Sequence, residues 1–246
     1  MRVVVLGATR GMGRALARRM AERGDRLFLL GRNPDELARS GADLAARAPD
    51  AAAPGAAFLD LERPDTFEPA LDAAVEALGG LDAVVVTAAR FATQESLEGD
   101  TEATRALLTV NFAHTIVFCE AARHRLLGAG GGTLCVFSSV AGERGRKPVI
   151  LYGAAKAGLT RYLEGLDHKF RAQGLRVVCV KPGFVRTGMT EGLRPPPFAG
   201  EPDAAARQVL RAIDAGWPVV YVPSVWRWVM LVIRHLPRFV MRRVGF

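Results

Sequence analysis

Short apolar runs alternate with segments of helical periodicity along this chain, and this alternation constrains the fold more than any other feature. The runs, such as 3–6, 83–86 and 133–137, are apolar throughout. Continuous runs of this kind are typical of parallel strands that helices cover on both faces. About seven β-α units follow one another along the 246 residues. Since crossovers between parallel strands are right-handed, the sequence predicts one doubly wound α/β sheet of about seven strands.

The other elements follow the same rhythm, and residues 1–224 are interpreted as one domain because no change in composition divides them. Further strands are predicted at 27–30, 57–59, 175–180 and 219–222, and the principal helices at 11–23, 34–48, 64–78, 101–127, 152–173 and 202–215.

Residues 225–246 form a C-terminal tail that differs from this domain in charge. The tail contains five arginines and no acidic residue, whereas the whole chain has a net charge of +8. Tryptophan and phenylalanine are interleaved with the arginines, and Pro237 divides the tail into two short helices. Basic amphipathic helices with aromatic residues bind anionic membrane surfaces. We expect such a contact, or else packing of the tail on the domain or on a second subunit.

Composition excludes several classes of protein. Half of the residues are hydrophobic, which excludes a disordered chain, and no apolar run is long enough to span a membrane. The sequence opens without the pattern of a signal peptide, so the expected location is the cytoplasm, with contact at the inner face of the membrane through the tail. The three cysteines lack metal-ligand spacing, and no basic stripe with aromatics runs through the domain. Neither a metal nor nucleic acid is therefore expected as a partner.

Three glycines, Gly7, Gly11 and Gly13, lie between the first strand and the first helix. Glycine at these positions permits a tight turn and close approach of the backbone to a ligand, and the helix N-terminus attracts anions. An ordinary tight turn also uses glycine, but the strand before and the helix after this pattern favour a dinucleotide pyrophosphate site. The second strand ends in Gly31-Arg32 where an NAD site would carry an acid. Arg32 and Arg10 therefore favour NADP(H) over NAD(H).

A second set of residues has the chemistry of carbonyl reduction. Tyr152 and Lys156 are four residues apart at a helix start and so share one face, and Ser139 precedes Tyr152 by 13 residues. A phenol can donate the proton that a reduced carbonyl oxygen needs, and a neighbouring ammonium should lower its pKa. A serine hydroxyl can stabilise charge that develops on that oxygen.

These patterns together resemble the short-chain dehydrogenases/reductases. The glycine fingerprint and the Ser…Tyr-x-x-x-Lys signature match that family, although Thr87-Ala88-Ala89-Arg90 stands where it usually has Asn-Asn-Ala-Gly. The resemblance implies that the catalytic residues are Ser139, Tyr152, Lys156 and Asn111. It implies that the cofactor contacts are Gly7, Thr9, Arg10, Gly11, Met12, Gly13, Arg32, Asn33, Asp60, Leu61, Ala88, Ala89, Tyr152, Lys156, Pro182, Gly183, Val185 and Thr187.

The resemblance further implies an NADPH-dependent reduction of a ketone to a secondary alcohol, or its reverse, by a homodimer or homotetramer. The stretch before Tyr152 and the tail are also similar to a branch of reductases of polyprenyl-phosphate-linked keto-pentoses, which favours a hydrophobic or lipid-linked substrate. Two alternatives remain at this point. One is a soluble 3-ketoacyl or small-ketone reductase, and the other is a cofactor-binding regulatory protein without turnover.

Overall fold

A single parallel sheet of seven strands organises the computed structural model, which describes residues 1–48 and 52–244. The strands are β1 Arg2–Leu6, β2 Arg26–Gly31, β3 Gly55–Phe58, β4 Ala83–Val86, β5 Gly132–Phe137, β6 Leu175–Pro182 and β7 Val219–Val222. Their order across the sheet is β3-β2-β1-β4-β5-β6-β7. The chain therefore moves outward from β1 in both directions, which creates a crevice at the carboxyl ends of β1 and β4. The predicted doubly wound, Rossmann-like α/β fold is confirmed.

Helices cover both faces of this sheet. They are α1 Gly11–Glu22, α2 Pro34–Arg47, α3 Phe67–Leu78, α4 Gln94–Leu97, α5 Thr101–Leu108, α6 His114–Gly128, α7 Ile150–Phe170, α8 Pro202–Ala215, α9 Trp226–His235 and α10 Arg238–Arg243. One apolar core lies between the sheet and α3, α6 and α7, and a second lies between the sheet and α1, α2 and α8. Within the described ranges, no helix is both long and apolar enough to cross a bilayer.

Several elements differ from the sequence prediction. The third strand is Gly55–Phe58 rather than 57–59, because the parallel pairing with β2 extends towards Gly55. The helix predicted at 101–127 is divided by a π-helical turn, Thr109–Ala113. The helix predicted to begin at Tyr152 begins at Ile150, so Tyr152 is its third residue. Residues 49–51, for which the sequence predicts a loop between the second helix and the third strand, lie outside the described residues.

The tail forms two short helices that separate at Pro237, as the sequence predicts. Three apolar side chains of α9, those of Trp226, Met230 and Ile233, are buried against Val140 in the segment after β5. The indole Nε1 of Trp226 also donates a hydrogen bond to the carbonyl of Phe198, at 3.3 Å. One face of the tail is therefore packed on the domain.

Basic residues of the segment before α7 fasten the tail from the domain side. The guanidinium of Arg144 donates to the Leu236 carbonyl at 2.7 Å, and the Lys147 ammonium donates to the Arg242 carbonyl at 2.6 Å. These two cations therefore hold the ends of the tail helices, where backbone carbonyls lack helical partners.

Candidate active site

The carboxyl ends of adjacent strands bring the sequence-predicted catalytic residues to one edge of the sheet. Ser139 lies two residues after the end of β5, and Tyr152 and Lys156 project from the first two turns of α7, which packs closely on the segment after Ser139. All three side chains are buried. The ring of Phe91 contacts the Tyr152 ring edge to face, with the centroids 5.2 Å apart. The structure thus gathers the Ser, Tyr and Lys residues at one buried position beside the carboxyl end of β5.

Burial controls the protonation of the two titratable groups at this position. Burial raises the pKa of Tyr152 to about 12, and an interaction with the Ser139 hydroxyl opposes this rise. The phenol therefore remains protonated throughout the neutral range, which is the form that a proton donor requires. Burial also lowers the pKa of Lys156 to about 8. Burial thus raises the phenol pKa in this structure, whereas the sequence predicted that the neighbouring ammonium would lower it.

Hydrogen bonds to the backbone hold Lys156 and its helix in place. The Lys156 ammonium donates to the Phe137 carbonyl at 2.9 Å, and it lies 5.8 Å from the centre of the Tyr152 ring. The neighbouring Ser138 hydroxyl donates to the Lys156 carbonyl at 2.9 Å. Ser138 therefore joins the end of β5 to α7, whereas the Ser139 hydroxyl accepts the Ala141 amide proton at 3.1 Å.

Asn111 connects the π-helical turn to the segment after β4. Its side-chain oxygen accepts from the Arg90 amide at 2.8 Å, and its side-chain nitrogen donates to the Arg90 carbonyl at 2.6 Å. In a π turn the backbone hydrogen bonds span five residues instead of four. Here the Thr115 hydroxyl also donates to the Val110 carbonyl, at 2.6 Å. Arg90 stands where the family usually has glycine. No non-glycine residue in the described ranges has a positive φ, so Arg90 needs no backbone conformation that favours glycine.

The glycine loop forms a cradle that only glycine can supply. Gly7 and Gly11 have φ angles of +98° and +52°. A Cβ atom on Gly13 would lie 2.2 Å from the Gly7 carbonyl oxygen. The Thr87 hydroxyl, which stands where the family usually has asparagine, donates to that same carbonyl at 3.0 Å. No side chain caps the N-terminus of α1, so its amide groups can receive an anion. These features fit the pyrophosphate of a nicotinamide dinucleotide.

The end of β2 lies beside this cradle. Arg32 is exposed there, and its guanidinium makes no hydrogen bond or ion pair within the described part of the chain. Arg10 instead forms an ion pair with Glu36 at the start of α2. The Asn33 side chain accepts the Glu36 amide proton at 3.1 Å and so caps α2. Of the two predicted phosphate ligands, Arg32 is therefore the one without a protein partner, and the cap explains Asn33 without a cofactor.

The remaining cofactor positions also lie at the carboxyl edge of the sheet. Asp60 follows β3 and accepts the Glu62 amide proton at 3.0 Å, which is a local turn, and Leu61 is buried. Ala88 and Ala89 follow β4, close to the glycine loop. Other predicted contacts are placed around this edge as follows: Thr9 and Met12 in the glycine loop and first turn of α1, and Pro182, Gly183, Val185 and Thr187 after β6.

One residue of this region was not singled out for the site by the sequence. The indole of Trp226 covers Gly183, where a Cβ atom would lie 2.3 Å from the ring. Together with its hydrogen bond to Phe198, this contact makes the tail part of the wall beside the Pro182–Thr187 segment. The alternation of apolar residues in the tail signalled burial, but nothing in the sequence indicated which surface would receive it.

Fold and site together define a nicotinamide-dependent oxidoreductase with a Ser-Tyr-Lys centre. The family model for short chain dehydrogenases matches residues 1–197. An uncharacterized oxidoreductase of Mycobacterium tuberculosis is 34% identical over 242 residues, which cover 98% of this chain and 96% of that protein. This chain therefore belongs to the short-chain dehydrogenase/reductase family.

Two other comparisons agree with this assignment. Carbonyl reductase family member 4 of Xenopus tropicalis is 26% identical over 219 residues, covering 86% of this chain and 90% of that protein. The crystal structure of levodione reductase superposes with a TM-score of 0.81 at 24% identity, covering 89% of this chain and 94% of that chain. At this identity the structural likeness supports the fold, and the chain is an oxidoreductase of this family.

Proposed function

We propose that the protein reduces a hydrophobic ketone to a secondary alcohol with NADPH, or catalyses the reverse reaction. The observation that carries this proposal is the buried Tyr152 beside Ser139 and Lys156, at the same edge of the sheet as the glycine cradle. Bound NADPH supplies the hydride for the carbonyl carbon. The Tyr152 hydroxyl transfers its proton to the carbonyl oxygen, so that one hydride and one proton complete the alcohol.

The other residues of the centre have supporting roles in this proposal. Ser139 hydrogen-bonds the carbonyl oxygen and stabilises its developing negative charge. Lys156 stabilises the phenolate that remains after proton transfer, and its amine can bind the ribose hydroxyls of the cofactor. Asn111 supports the proton relay by holding the turn beside the centre.

NADPH is preferred in this proposal because of the charges around the end of β2. Arg32 is exposed and without an acidic partner in the described residues, so its guanidinium is available to a 2′-phosphate. Glu36 lies nearby, but its ion pair with Arg10 compensates its charge. A carboxylate that would bind a ribose 2′-hydroxyl is absent from Gly31 and Arg32.

A hydrophobic substrate is supported by the segment after the Pro182–Thr187 turn. Met189, Leu193 and Phe198 expose large apolar side chains there. Such surface is rarely left to water unless it has a ligand or a partner. A lipid-linked ketone has an apolar part that this segment can cover. A homodimer or homotetramer stays part of the proposal, in line with the family.

The test is NADPH oxidation measured against a panel of ketones. The panel contains lipid-linked keto-sugars, long-chain keto lipids, 3-ketoacyl thioesters and small ketones. We expect turnover on the first two classes and a loss on the order of 10²- to 10⁴-fold in Tyr152→Phe, with NADPH affinity nearly unchanged. Turnover confined to thioesters or small ketones would instead support the soluble alternative. Tight NADPH binding without turnover on any class would support a regulatory protein.

A further inference from the structure

The outer side of the tail presents an apolar surface opposite to its packed side. At 100° per residue, Trp228, Leu231 and Val232 lie on the side of α9 that faces away from the buried Met230. Phe239 of α10 is exposed as well. The exposed fractions of Trp228, Val232 and Phe239 are 64%, 62% and 60%. We call these four side chains, Trp228, Leu231, Val232 and Phe239, the tail face.

Cations surround the tail face. Arg227, Arg238, Arg242 and Arg243 are exposed, and their guanidinium groups form no ion pair within the described part of the chain. Arg234 lies 3.5 Å from the buried Glu143, and among the described residues it is the one tail arginine with a carboxylate within 4 Å. Since residues 225–246 contain no Asp or Glu, the charge that the tail itself contributes beside the tail face is positive. An anionic partner is therefore favoured, whereas a second copy of the same face would meet like charges.

We infer that the tail face binds an anionic lipid surface, with the two helices lying in the interface and the arginines reaching the headgroups. A tryptophan and a phenylalanine on one side of a short basic helix have the amphipathic character that headgroup level favours. The packing of Trp226, Met230 and Ile233 on the domain prevents the tail from inserting alone, so the whole protein is held at the surface.

The position of the tail also brings the site close to a source of hydrophobic substrate, an inference that rests on the proposed function. Trp226, two residues before Trp228, donates to the carbonyl of Phe198 in the segment 188–199, which exposes Met189, Leu193 and Phe198. One helix therefore contacts the domain beside that segment and presents the tail face outward. A hydrophobic ketone that partitions into lipid would be concentrated at the same surface.

The experiment measures sedimentation with vesicles, without NADPH or ketone. Vesicles contain phosphatidylcholine, either alone or mixed in equal parts with phosphatidylglycerol. We expect the protein to bind only the mixed vesicles, with the partition coefficient falling on the order of tenfold in Trp228→Ser/Val232→Ser and in Arg238→Gln/Arg242→Gln. Phe58→Ser, at the opposite edge of the sheet, and Arg39→Gln/Arg105→Gln are the matched controls and should bind like the wild type.

Other outcomes overturn the inference. Absence of wild-type binding to the mixed vesicles, or equal losses in the control variants, contradicts it. If the tail variants instead lower the oligomeric state seen by light scattering, the face is an interface between copies. Far-ultraviolet circular dichroism and melting temperature check that each variant is folded. Tyr152→Phe should bind vesicles like the wild type, so failure of the catalytic proposal remains separate from failure of this one.

Discussion

At the scale of single residues, the site places an amine where burial opposes its charge. Lys156 is almost entirely buried, with one hydrogen bond to the Phe137 carbonyl. Its pKa falls to about 8 for this reason, against about 10.5 for a free lysine. Below pH 8 both the folded and the unfolded chain carry the proton, and the folded chain bears the full cost of burying the charge. The proposed function gives a reason for this cost, since it uses the ammonium of Lys156 to stabilise the Tyr152 phenolate.

Replacing Lys156 by methionine should therefore stabilise the cofactor-free protein while abolishing turnover. At pH 7 we expect a gain on the order of 1–3 kcal/mol in the free energy of unfolding, reduced by the lost hydrogen bond to Phe137. The wild type should recover relative to Lys156→Met as the pH rises from about 8 towards 10, since the folded chain then loses its proton first. Urea unfolding at pH 7 and pH 9.5 measures the difference, and a less stable variant at pH 7 would contradict it.

A second residue-scale prediction concerns the choice of cofactor. Arg32→Asp should lower kcat/KM with NADPH relative to kcat/KM with NADH, shifting their ratio on the order of tenfold to a hundredfold, because a charge-assisted contact becomes a repulsion. Arg10→Gln/Glu36→Gln is the matched control, and its effect should be smaller since it removes the neighbouring ion pair without leaving an uncompensated charge. An unaltered ratio in Arg32→Asp would remove this residue from the phosphate site.

At the scale of elements, a π turn and a loop fasten each other at the site. Asn111 makes two hydrogen bonds to the backbone of Arg90, so the loop after β4 depends on the turn at Thr109–Ala113. Helical periodicity predicted a continuous helix over 101–127, because one extra residue within a turn changes the spacing of apolar positions too little to be recognised. The resemblance to the family indicated Asn111 itself, whereas its partners follow from contacts between elements.

Asn111→Leu should weaken the connection between the π turn and the loop after β4. It leaves the amide and the carbonyl of Arg90 without their partners, and we expect a loss on the order of 2–4 kcal/mol in unfolding free energy together with reduced kcat. Thr115→Val is the control, since it removes the bond to the Val110 carbonyl but keeps both bonds to Arg90. It should cost less stability and leave kcat nearly unchanged. Equal kcat values for the two variants would argue against a role of Asn111 in positioning the site.

At the scale of the whole molecule, a buried polar cluster joins the tail to the sheet. The Glu143 carboxylate forms an ion pair with Lys181 of β6, accepts from the Tyr221 hydroxyl of β7 at 2.9 Å, and lies 3.5 Å from Arg234 of α9. These residues are far apart in the sequence. Local patterns predicted the strands, the glycine loop and the catalytic residues, because each leaves a signal within a few positions. This cluster leaves none, since only the packed fold brings its members together.

Replacing Lys181 alone should destabilise the protein more than replacing both Lys181 and Glu143. Lys181→Met leaves a buried carboxylate without its ammonium, and we expect a loss of about 3–5 kcal/mol in unfolding free energy. Adding Glu143→Leu should recover more than half of that loss, because the buried charge is then gone, although Tyr221 and Arg234 lose their partner. Urea unfolding of the wild type, both single variants and the double variant measures this coupling. A double variant that is the least stable of the four would show that Glu143 acts mainly through Tyr221 and Arg234. A Lys181→Met variant as stable as the wild type would show that water solvates the carboxylate in the folded state.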